Sequence, residues 1–226
     1  YEGIRQASIL ISNVDINEEL TEEEIADYKA QARFLRSYFY WLLLRKYGPV
    51  PLVPEETISI DGDYTSMSYP RNSYDEVVDY ISKEMVLAAQ ALPEKRDRQN
   101  INRATKGAAL AVRAKALLYT ASPINNPRPE DPDKFSDFTD HQGRILMAQT
   151  YDESKWAKAA AAAKDVIDLA TKTGVYKLYT APYQAKGDNA YPATIKPPHH
   201  PIYSTKDFPE GWADIDPFAS YRSLFN

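Results

Sequence analysis

The stretch from Arg33 to Tyr47 constrains this chain more than any other, because it is too apolar for a helix that lies on a surface and it ends abruptly at Gly48-Pro49-Val50-Pro51-Leu52. Gly48 can adopt the left-handed backbone that satisfies orphan helix carbonyls, and Pro49 and Pro51 cannot continue a helix. Upstream, Thr21 followed three residues later by Glu24 forms a capping box, which predicts a helix over Glu22 to Tyr47. Ile25, Tyr28, Ala32, Leu35, Phe39 and Leu42 recur at steps of three and four and draw one apolar stripe. Phe34, Tyr38 and Trp41 supply a second apolar face. A helix apolar on two faces is packed between neighbours rather than laid on one.

Three further helices follow from the same signals. Ser73 with Glu76 makes a second capping box, and Val77, Ile81, Met85, Ala88 and Leu92 trace a stripe that ends against Pro93, predicting a helix over Tyr74 to Leu92. Thr105 to Ala121 is dominated by small residues that permit close approach of a neighbour, and it stops at Ser122-Pro123. Trp156, Ala160, Ala163, Ile167 and Ala170 mark a stripe on a helix over Glu153 to Thr173, with Gly174 as its C-terminal cap. The last two helices resemble a tetratricopeptide hairpin in which Gly107, Ala111 and Tyr119 meet Trp156 and Ala160. Long connections separate the elements, at about 48–72 and 122–152. Loops of that length inside a compact fold are read as functional.

Composition excludes several classes. A formal charge of -5 over 226 residues leaves no basic stripe for nucleic acid. The absence of Cys removes disulfides, thiolate catalysis and Cys-based metal sites together. The apolar run from Tyr38 to Leu44 falls far short of the roughly 18 to 20 residues a spanning helix needs. Beyond Gly174 the character changes: from Tyr183 to Asn226, Pro192, Pro197, Pro198, Pro201, Pro209 and Pro217 alternate with aromatic residues. Proline at that density forbids long regular elements, while disordered segments lack such aromatics. An ordered, irregular region is expected over 180–226, following a helical scaffold over 1–179 of the same domain.

These residues resemble the SusD/RagB family, surface-exposed glycan-binding lipoproteins that Bacteroidetes pair with an outer-membrane transporter. The match is carried by Ile4-Arg5-x-Ala7; by Arg33-x-Leu35-Arg36-x-Tyr38-x-Tyr40 through Gly48-Pro49-Val50-Pro51-Leu52; by Tyr74 to Pro93; by Arg103-x-Thr105-Lys106-Gly107-Ala108-Ala109 through Leu117-Leu118-Tyr119 and Ser122-Pro123; and by Trp156 with Ala160, Val166 and Ile167. The resemblance implies a mainly α fold of tetratricopeptide-like helical hairpins with long irregular loop insertions. It implies capture of an oligosaccharide or polysaccharide for a SusC-like TonB-dependent transporter, and no catalysis. It also implies a place on the outer-membrane surface, a lipid anchor on an N-terminal Cys outside this sequence, and a chain that is a fragment of a longer member.

The residues themselves offer little catalytic chemistry. His141, His199 and His200 are the only histidines, and none falls in a helical His-Glu-x-x-His pattern that would place two ligands on one face. No Gly-rich phosphate loop occurs. Asp131, Asp133, Asp137 and Asp140 crowd one loop and invite calcium, but an EF-hand counted from Asp131 would need Gly and Glu where Ser136 and Gln142 stand. An irregular oxygen site is the remaining form a cofactor could take. Sugars are held by rings that cover their apolar faces, so aromatic residues in loops carry the functional signal. Trp41 and Trp156 lie on core stripes, which leaves Trp212, between Gly211 and Ala213, as the ligand platform, helped by Tyr203 or Tyr191, with Tyr64 as a further candidate. The alternative is a tetratricopeptide-like adaptor that grips a peptide on a concave face.

Overall fold

The computed structural model describes residues 1–55, 68–128, 130, 134–183 and 199–223. It is mainly helical and separates into two compact units, Tyr1–Val175 and Tyr176–Asn226. The first unit holds α1 (Glu2–Asn13), α2 (Glu22–Tyr47), α3 (Tyr74–Ala91), α4 (Lys106–Ala121) and α5 (Ser154–Thr173). Each helix packs on the next in chain order, and α2 also touches α4. This serial stacking is the tetratricopeptide-like arrangement, with α2 and α3 as one hairpin and α4 and α5 as the next.

The helix ends are set by the side chains that mark them. Thr21 Oγ1 accepts from the Glu24 amide at 3.2 Å while the Glu24 carboxylate accepts from the Thr21 amide at 2.9 Å. Ser73 and Glu76 repeat the exchange at 3.2 and 2.7 Å, so each helix starts with orphan donors satisfied. Gly174 closes α5 in the left-handed conformation. Gly48 also has positive φ, but its ψ of -147° puts it in a region that only glycine tolerates, outside the left-handed well. That geometry turns the chain straight from α2 into the Pro-braced segment. Leu52 N–H then donates to Asn72 Oδ1, and Val53 N–H to the Tyr40 hydroxyl, both at 2.9 Å.

α1 is the element that periodicity reading passed over. Ile4, Ala7, Ser8 and Ile11 form its buried face against α2. α2 is packed between α1 and α3, as a helix apolar on two faces must be, but the faces differ from the expected stripes. Leu35 and Leu42 are exposed, whereas Arg36 and Ser37 are buried with Tyr40, Trp41 and Leu44. The reason is polar: the Arg36 guanidinium lies inside, donating to Ser8 Oγ (2.9 Å), the Val53 carbonyl (2.7 Å) and the Tyr80 hydroxyl. A charge with internal partners can occupy a position that hydropathy assigns to solvent.

The same effect rotates the face of α5. Lys155, Ala159 and Ala162 are buried, while Trp156 is 41% and Ile167 62% exposed, so the expected core stripe faces away from the unit's core. Lys155 Nζ binds both oxygens of Asp75 at 2.8 Å and so anchors a face one residue removed from the apolar one. On α4 the alanines in the core are Ala109, Ala116 and Ala121; Ala111 is exposed, and the expected crossing of Gly107 and Ala111 with Trp156 and Ala160 is corrected accordingly. Arg113 instead ties three helices together, reaching Ser82 on α3 and Asp165 on α5.

The insertion between α4 and α5 is closed at its base. Asn126, 1% exposed, donates to the Asp152 carbonyl at 3.0 Å and accepts the Asp152 amide at 2.8 Å. Within the insertion a bridge pairs Thr139 with Ile145, and Leu146 is fully buried. The second unit contains β1 (Ala181–Pro182) paired antiparallel with β2 (Ile215–Asp216), a single 3-10 turn at Tyr203–Thr205 and α6 (Pro217–Arg222). No larger sheet occurs among the described residues. No helix among them is long and apolar enough to cross a membrane.

Candidate functional site

The second unit is built around a folded-back loop from His200 to Asp216. The His200 imidazole seeds it: Nδ1 accepts the amides of Ile202 and Tyr203 at 3.2 and 3.3 Å, and Ser204 Oγ accepts the His200 amide at 2.8 Å. The chain returns across this turn. Trp212 N–H donates to the Tyr203 carbonyl at 2.9 Å and Ala213 N–H to the Lys206 carbonyl at 2.8 Å. Gly211 is buried where the strands of the loop cross, and a Cβ there would overlap the carbonyl oxygens of Tyr203 and Lys206. Only glycine fits that crossing. Asp214 Oδ1 accepts the Phe208 amide and Asp216 caps α6 through the Ala219 amide, which fixes the far end.

The crossing brings three rings together. His200 stacks on Tyr203 with centroids 4.4 Å apart and planes at 30°, and Tyr203 lies 5.7 Å from Trp212 at 38°. The His200 and Trp212 rings form a T-shaped pair with centroids 6.3 Å apart. Tyr203 is 47% exposed and Trp212 half-buried. The Trp212 indole N–H is enclosed and has no acceptor among the described residues, so any part of the indole side chain that meets solvent is carbon. Indole carbon beside a phenol and an imidazole is a combination that can cover the apolar face of a flat ligand and hydrogen-bond its rim.

Of the residues singled out in the sequence, Tyr203 and Trp212 are thus neighbours. Tyr191, Tyr64, Asp131 and Asp133 lie outside the described residues. His200, weighed in the sequence only as a metal ligand, is the member that sequence reading misses; the signal is its position three residues before Tyr203 in a Ser-containing turn. Trp156 was assigned to the core and is exposed. Asp137 is exposed, while Asp140 is buried and spends its carboxylate internally, on the amides of Gln142 and Arg144 at 2.9 Å and on Arg144 Nε at 3.2 Å. The Arg144 amide, with the Gln142 amide and the Arg144 guanidinium, holds that carboxyl below the usual range. No group of three metal-ligating side chains occurs among the described residues.

Fold and site together define a protein with a helical-hairpin unit and an aromatic loop unit. The chain belongs to the SusD-like family: the family model described as "Starch-binding associating with outer membrane" matches residues 1–118. A SusD-like protein of Bacteroides ovatus is 27% identical over 164 residues, 69% of this chain and 29% of that protein. The solved structure of BT4246 superposes with a TM-score of 0.66 at 32% identity, covering 78% of this chain and 30% of that one. A structure solved with a xylogluco-oligosaccharide gives a TM-score of 0.52 at 25% identity over 74% of this chain and 28% of its own. The chain therefore spans under a third of the length of these relatives.

Proposed function

We propose that the protein captures an oligosaccharide at the outer-membrane surface on the His200–Tyr203–Trp212 ring cluster and hands it to a TonB-dependent transporter. It does so by binding alone, without cleaving the glycan. The observation that carries the reading is the convergence of three rings on one exposed loop of a SusD-like chain. The xylogluco-oligosaccharide in a related structure supports the ligand class. The family description supports the membrane setting. In this reading the lipid anchor of the family holds the protein at the surface.

The energetics suit a transfer role. A ring that covers about 60 Å² of apolar sugar face contributes about 1.5 kcal/mol at about 25 cal/mol per Å². Two or three rings, offset by the ordering of ligand and loop, leave affinity near the millimolar level that corresponds to about -4 kcal/mol. Weak capture permits release to a partner. A glycan array on the full-length protein identifies the ligand, and calorimetry with the best binder then tests the site. Trp212→Ala is expected to weaken binding about tenfold, the loss of about 1.4 kcal/mol, without shifting the helical melting transition. Unchanged affinity would remove the platform from the proposal. Pull-down of the full-length lipoprotein from outer membranes without a transporter would remove the hand-over.

A further inference from the structure

A second aromatic cleft lies wholly within the first unit, where the Pro49 turn, the start of α3, the end of α4 and the long insertion meet. It encloses about 290 Å³ and is walled by the rings of Tyr74, Tyr119, Phe135 and Phe138, with Arg45 and Asn125 as its polar members. That volume sits at the lower end of ligand clefts, enough for one six-membered ring and too small for an extended chain.

Three features mark it as a prepared site and not a gap between loops. Phe135 has φ of +60°, a conformation that a bulky side chain rarely adopts, and the residue is 39% exposed. Glycine or asparagine would make the same turn with less strain. A strained backbone that holds an exposed aromatic residue over a cleft is the arrangement found at ligand sites. The walls, in turn, are fixed before any ligand arrives. Arg71 lies over the Phe138 ring at 5.0 Å and donates to the Thr139 carbonyl, Tyr119 packs edge-on against the core Trp41 at 5.0 Å, and Asn125 Nδ2 holds the Tyr119 carbonyl at 2.9 Å. Finally, Arg45, which lines the cleft, rests over Trp41 at 5.6 Å with no carboxylate partner among the described residues, so its fork of donors is available to a ligand.

We infer that this cleft binds a single pyranose ring, sandwiched by the aromatic walls with its hydroxyls toward Arg45, as a sugar site separate from the His200–Tyr203–Trp212 platform. The inference shares the carbohydrate class with the proposed function but none of its residues. The cleft would read one terminal sugar or branch, while the platform follows the chain.

Met147 lines the cleft and Met85 is fully buried in the core, so a 13C-methyl methionine spectrum supplies a reporter and an internal control. The full chain is titrated with a panel of methyl glycosides of glucose, galactose, mannose, xylose and N-acetylglucosamine, with phenol as the non-sugar comparison. At least one glycoside is expected to shift Met147 and leave Met85 in place. Phe135→Gly removes the ring and relieves the turn, so it should weaken that response at least tenfold without lowering the melting temperature. Trp212→Ala should leave the response intact. The inference is overturned if no glycoside moves Met147, if phenol alone does, or if the response survives Phe135→Gly. Loss of the response in Trp212→Ala also overturns it, because one site would then explain both; intact Met147 binding with no effect of Trp212→Ala on glycan affinity would instead sink only the platform.

Discussion

Arg36→Met is the substitution that best separates competing accounts of how the scaffold is held together. Arg36 is 2% exposed and has one carboxylate within 4.0 Å among the described residues, that of Glu55, itself 34% exposed. It is compensated less by that ion than by dispersed acceptors and rings: hydrogen bonds to Ser8, Tyr80 and Val53, and the faces of Tyr40 and Tyr80 at 5.6 and 5.4 Å. Three such bonds at about 1.5 to 3 kcal/mol each, with cation–π terms of about 1 kcal/mol, outweigh a desolvation cost of several kcal/mol. Methionine keeps most of the stem volume but leaves the Val53 carbonyl and the Tyr80 hydroxyl without the guanidinium. Ser8 Oγ retains its bond to the Ile4 carbonyl. The net loss should be about 3 kcal/mol, the lower end for breaking a buried charge network. For a chain of this size that is a fall of about 6 to 12 °C in melting temperature, read by circular dichroism. Arg36→Lys should not rescue, since one ammonium cannot reach acceptors on α1, α3 and the Pro-braced segment together. Glu55→Gln should cost under about 1 kcal/mol, as a long, partly solvated pair does. A wild-type melting point in Arg36→Met, or a larger effect from Glu55→Gln, would refute the network.

Two further outcomes follow from burial. Ala109→Leu, at a position with no exposure, should cost about 1 to 3 kcal/mol by overpacking, whereas Ala111→Leu one turn face away should change stability by under about 0.5 kcal/mol; equal melting temperatures would place both on the same face. Burial, with Tyr119 beside it, pushes the Tyr74 hydroxyl up to about 12 from an ordinary value of 10.0. Its neutral form is favoured in the fold, so this stabilisation is complete below pH 10 and lost as pH rises toward 12. Two pKa units correspond to about 2 to 3 kcal/mol, and Tyr74→Phe should flatten the alkaline fall in melting temperature; an identical slope in the variant would assign the fall to other groups.

How far the molecule was legible in its sequence depended on which interaction set each feature. Helix ends were legible to within a residue or two, because Thr21, Ser73 and Gly174 act locally through caps that the chain order itself supplies. Helix faces were less so. On α2 and α5 the rotation is decided by Arg36 and Lys155, whose partners Tyr80, Val53 and Asp75 are distant in sequence and give no periodic signal. α1 was legible in principle from Ile4, Ala7, Ser8 and Ile11, but a buried serine bonded to the Ile4 carbonyl breaks the apolar pattern. In the aromatic unit, Trp212 and Tyr203 stood out by composition. Their juxtaposition rests on backbone bonds across Gly211, and His200 entered through its Nδ1 acceptor role, neither of which residue type alone reveals.

The Asn126–Asp152 amide pair makes the segment it closes a replaceable cassette. Both ends of the excursion are pinned to each other and, through Lys155, to Asp75 on α3, and Leu146 inside it accepts the Tyr74 amide at 2.9 Å, so a replacement that keeps these ties gives the helices the same boundary. Once the ends are joined, doubling the length of the intervening chain costs only about 0.6 kcal/mol in closure entropy. A scaffold with such a socket can exchange the wall that carries Phe135 and Phe138 without re-registering α4 against α5. Ligand preference can then diversify at nearly constant stability, and grafting the 127–151 segment between homologous scaffolds becomes a practical route to altering what the cleft holds.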